Sequence, residues 1–90
     1  MQYNNNMDDI ELGARMHQLK LNIHKHHGII FTDLSKIYSN LMSITADLSK
    51  EAVECRRLHR PTSKYTALHT EFQVVLEFAE QQVTFASLLA

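Results

Sequence analysis

The sequence predicts an all-α protein, an antiparallel bundle of three helices. Apolar residues recur at steps of three and four along most of the chain, which is the period of a helix rather than of a strand. Only 2 Gly and 1 Pro interrupt the 90 residues, too little turn material for a β-rich fold. Hydrophobic residues make up 44% of the chain, too many for a disordered segment. A length of 90 residues allows one domain at most. On this reading it spans 7–90 behind a disordered tail at 1–6. A chain so short buries only about 60–65% of its extended surface. Helix packing or association with another chain must supplement that.

The first helix is expected over 7–26. Asn6 or Asp8 offers an N-cap, with Asp9 or Glu11 three residues on at the capping-box position. Asp8, Asp9 and Glu11 then lie near the positive end of the helix dipole. Met16, Leu19 and Ile23 point inward. Gly28 reads in two ways. As the residue just past a helix end it closes the first helix, with His24, His26 and His27 in the last turn and Thr32 capping the next. Yet Ile23, His26, Ile30, Leu34, Ile37, Leu41, Ile44 and Leu48 keep helical spacing across it. A mid-helix glycine costs only ~1 kcal/mol. The alternative architecture is therefore a two-helix hairpin with one continuous first helix of ~50 residues, ~75 Å long. Such a hairpin would dimerise into a four-helix bundle to cover its uncovered half.

The second helix is expected over 32–59. Its stripe is Leu34, Ile37, Leu41, Ile44, Leu48, Ala52 and Cys55, widened by Tyr38, Met42, Val53 and Leu58. That width suits a helix with two neighbours. Pro61 marks the boundary, because it pushes Arg60 out of the α region. Thr62 or Ser63 caps the third helix, expected over 62–88.

This third helix is the most informative segment. From Tyr65 to Ala90 there is no Gly, Pro, Lys or Arg. Tyr65, Leu68, Phe72, Val75, Leu76, Ala79, Val83, Ala86 and Ala90 form one stripe at helical spacing. Ala67, Val74, Phe78 and Phe85 fall on a second strip, more than about 90° round the helix at ~100° per residue. A surface helix needs one apolar face, and a second implies burial on a second side. The first helix offers few large residues to cover it, so the strip is expected to meet another chain.

Charge and cysteine usage exclude more than they assign. The formal net charge of −1 gives no global field toward nucleic acid or an anionic membrane. Cys55 is the only cysteine, so no internal disulfide can form, which fits a reducing compartment. No run approaches the ~20 apolar residues of a membrane span. The opening MQYNNNMDD lacks the features of a secretory signal, so a cytoplasmic location is the expectation.

Three side-chain groups bear on chemistry. His24 and His27 share a helix face and can offer two zinc ligands. No Cys or acid stands at a suitable step to complete the shell, and Lys20 and Lys25 repel a cation, so no metal or other cofactor is expected. Cys55 and His59 are four apart, the spacing of an activated thiol, but no Asn or Asp is placed to orient the imidazole. A small core thiol is the simpler reading. Arg56, Arg57, Arg60 and Lys64 form the one basic cluster, able to hold an anion. It reads first as a solvated helix end that complements the dipole. With only Gly13 and Gly28, no phosphate-binding loop can be built, and no catalytic constellation is present.

The function expected from sequence is that of a small helical protein–protein interaction module, an adaptor, assembly or chaperone-like subunit with coiled-coil-like packing. It would bind another protein or a second copy of itself through the third helix, at Phe72, Val74, Phe78, Phe85 and Leu89, helped by the flank of the second. The alternative is a small nucleic-acid-binding regulator using Arg56, Arg57, Arg60 and Lys64. A metal- or pH-responsive switch at His24 and His27 is a third reading.

Overall fold

Three helices make up the structure, a computed structural model that describes residues 3–26 and 31–89. They are α1 (Tyr3–Lys25), α2 (Phe31–Leu58) and α3 (Ser63–Leu89). The long continuous first helix is not what forms. α1 and α2 pack on each other and share one core, which a single rod cannot do, and the longest dimension is 48 Å. Burying Leu12, Met16, Leu19 and Ile23 against Leu34, Leu41 and Leu48 outweighs the continuity of the apolar stripe, at ~1.5–3 kcal/mol per side chain. Gly28, on which the choice was read, lies outside the described residues, as does His27.

α1 begins earlier than its apolar pattern. Asn6 and Asp8 lie inside it rather than at its cap, and no acid occupies its first turn. Asparagine is a poor helix former but not a breaker, so backbone hydrogen bonding extends the helix beyond the stripe that packs.

α2 ends more sharply. His59 takes a left-handed backbone, φ 52°, and the amide of Arg60 donates back to the carbonyl of Cys55 at 3.2 Å. This is the longer bond of a Schellman closure, with histidine where glycine is usual. The expected end at His59 is therefore one residue long, since that residue leaves the helix to close it. The carbonyl of Thr62 then accepts from the amide of Thr66 at 2.8 Å, so Thr62 stands at the α3 N-cap.

The helices run up, down and up. The Tyr65 hydroxyl donates to Asp9 at 2.7 Å near one end, and Ser87 meets His26 at 2.8 Å near the other, so α3 is parallel to α1. Between those ends Arg15 grips Glu80 through two nitrogens, at 3.0 and 2.6 Å. The core runs along the common axis. Its most enclosed side chains are Leu19, Leu34, Leu41, Phe72 and Leu76, and no buried side chain among the described residues is polar or charged. α2 packs most extensively on α3, and α1 lies more loosely against both. No described helix is long and apolar enough to cross a membrane.

Candidate interaction surface

α3 carries its apolar residues on two opposed faces. Tyr65, Phe72, Leu76, Ala79, Val83 and Ala86 are buried, and Leu68 and Val75 are half-buried beside them. At ~100° per residue, Val74, Phe78, Phe85 and Leu89 cluster within about 60° of one another, centred roughly 140° from the core stripe. They are correspondingly open: Val74 is 62% exposed, Phe78 51%, Phe85 56% and Leu89 64%. The core that α3 shares with α1 and α2 lies on the other side of the helix.

Phe72 does not belong with them. It is 2% exposed, so the expectation that it anchors a partner is corrected. The reason is angular: Phe72 shares the inward stripe with Tyr65 and Leu76, about 160° from Val74. Leu88, in contrast, was overlooked in the sequence. It is 80% exposed and stands three residues after Phe85, about 60° round the helix, beside the ridge.

On the opposite side of the molecule α1 and α2 splay to leave a groove of about 370 Å³. Leu12, Met16, Leu48 and Phe72 form its floor, and Gly13, Tyr38, Met42 and Thr45 its walls. Asp9 stands at one end, with His17 and Lys20 along the α1 edge. A smaller hollow of about 160 Å³ shares Lys20 and Tyr38 and continues toward the α1–α2 connection past Ile23, His24, Ser35 and Ser39. Gly13, Thr45 and Ser49 are among the lining residues, where little side chain fills the gap. A Cβ placed on Gly13 would meet nothing within 4 Å. Met42 on the groove wall is exposed, and so, away from the groove, are Ile10 and Leu21 on α1 and Val53 on α2.

The other sequence candidates stay apart. The Arg57 guanidinium is already paired with Glu54 at 2.8 Å, and the Lys64 ammonium stands 3.7 Å from Glu51. Arg56 and Arg60 are exposed. Cys55 donates weakly to the Pro61 carbonyl at 3.6 Å, and its i,i+4 register with His59 is lost because His59 has left the helix. His24 is exposed, and no group of three or more potential metal ligands occurs among the described residues.

Electrostatics at the α1–α3 seam are local. The hydrogen bond from Arg15 to Glu80 holds the guanidinium above its ordinary pKa, with Glu77 and Glu11 adding to the effect against partial burial. Asp9 accepts from Tyr65, and His69 lies 4.0 Å from the same oxygen.

Compared with known proteins, the chain matches no family model, no curated protein and no solved structure.

Proposed function

We propose that this chain is a small helical interaction module that docks onto another protein surface through the outer ridge of α3, in an adaptor or assembly role. The observation that supports this reading is the row of Val74, Phe78, Phe85, Leu88 and Leu89, all more than half exposed and opposite the core of their own helix. Single exposed apolar residues are ordinary on any surface, but a contiguous strip of large ones marks a contact site. An amphipathic ridge of this kind suits helix-in-groove recognition, with Phe78 and Phe85 as the anchors. Burying what remains exposed of the strip contributes roughly 5 kcal/mol gross, at ~25 cal/mol per Å². Association entropy offsets much of that, so the strip needs a complementary surface rather than a chance apolar contact.

The test compares the immobilised chain with Phe78→Asp plus Phe85→Asp, exposed to extract from the source cell. Partner capture is expected to vanish in the variant while its helical circular dichroism stays near normal. A folded variant that retains every bound partner would refute the reading, and so would one that unfolds, because Phe78 and Phe85 would then belong to the core.

A further inference from the structure

We propose that the surface covering the α3 ridge is the α1–α2 groove of a second copy of this chain, so that copies join head to tail. The proposal rests on the ridge being a docking surface and names what it docks into. The two leftover apolar surfaces lie on opposite faces of the molecule. One is convex, with Phe78 and Phe85 projecting from α3. The other is concave, a groove of about 370 Å³ whose floor includes Leu12, Met16 and Phe72. Each has the shape the other lacks.

Charge favours this pairing over ridge against ridge. Between Tyr65 and Leu89 α3 has no Lys or Arg. Glu71 lies within the ridge's own arc, about 30° from its centre, and Glu77 about 90° from that centre on the other side; both are exposed and without an ion pair among the described residues, Glu77 acting on Arg15 only at longer range. A symmetric contact between two ridges would bury Glu71 of both copies in an apolar seam to which α3 brings no Lys or Arg between Tyr65 and Leu89. The groove edge carries Lys20 with His17, both exposed, and Lys20 has no ion pair among the described residues. The groove's own acid, Asp9, already accepts from the Tyr65 hydroxyl. An acid-bearing ridge thus meets a groove edged by Lys20. Gly13 on the groove wall leaves open space where a side chain would stand, which lets a foreign helix approach the α1 backbone closely. Because ridge and groove are different patches, the contact does not close after two copies and continues into chains or rings.

Sedimentation and light scattering of the full chain, from about 5 to 200 µM, test this with two variants. The ridge variant is Phe78→Asp plus Phe85→Asp, and the groove variant is Gly13→Gln plus Met42→Glu. Wild type is expected to form species larger than dimers that grow with concentration. Each variant alone is expected to stay monomeric, and an equimolar mixture to give dimers and nothing larger, since it holds one intact ridge and one intact groove per pair. Gly13→Gln alone adds a good helix former in open space, so it keeps the fold and is expected to weaken assembly roughly tenfold or more. A wild type that stays monomeric throughout removes the second copy as occupant. If the ridge variant still loses a different protein from extract, the docking reading survives that result. A wild type that stops at dimers, or assembly indifferent to the groove substitutions, overturns the head-to-tail contact. Assembly unchanged by the ridge substitutions overturns both.

Discussion

His59 holds a left-handed backbone that costs an L-residue roughly 1 kcal/mol and glycine nothing. Replacing it should therefore relieve strain. His59→Gly is expected to stabilise the fold by about 0.5 kcal/mol once the extra unfolded-state freedom of glycine is subtracted. A rise in the urea midpoint checks this. The three phenylalanines of α3 separate core from surface at the same scale. Phe72→Ala should cost ~3–5 kcal/mol. Phe78→Ala should stay within about 0.5 kcal/mol in dilute solution, because the side chain is 51% exposed. Arg15→Ala removes a two-point ion pair that is about one-third exposed and should cost ~0.5–1 kcal/mol by thermal melt. Its raised pKa means that the Arg15 contribution is complete below the unfolded value and is lost only in strong alkali. It therefore gives stability no slope near neutrality.

At the scale of elements, Gly13 is the weak point of α1, a mid-helix glycine with no turn to make and no neighbour to accommodate. Gly13→Ala should stabilise the monomer by up to ~1 kcal/mol, read from the denaturant midpoint with unchanged slope. The sequence made α2 and α3 legible because both have wide apolar stripes bounded by Pro61, whose effect on its neighbour is steric and local. The start of α1 was not legible, because its polar first turns carry no packing signal. The closure by His59 was hidden as well, since left-handed caps are read from glycine. At the candidate site, Val74, Phe78 and Phe85 could be placed off the core stripe by counting residues. The same count puts Phe72 on that stripe, which is at odds with the expectation that it also anchors a partner. The groove could not be foreseen, because it arises from how far two helices splay, and no periodicity encodes that distance.

For the whole molecule, a core of Leu, Phe and small residues is complete within one copy, and two apolar surfaces remain outside it. A bundle of this size has little apolar surface to leave in water without use; the largest exposed row lies on α3, while Ile10, Leu21 and Val53 stand apart from it. The central claim is that the α3 ridge is open in the isolated chain. Hydroxyl-radical footprinting of dilute protein, read residue by residue by mass spectrometry, tests it most directly. Phe78 and Phe85 are expected to oxidise several times faster than Phe72. Equal protection of all three in a verified monomer would place the ridge inside the core and contradict the claim.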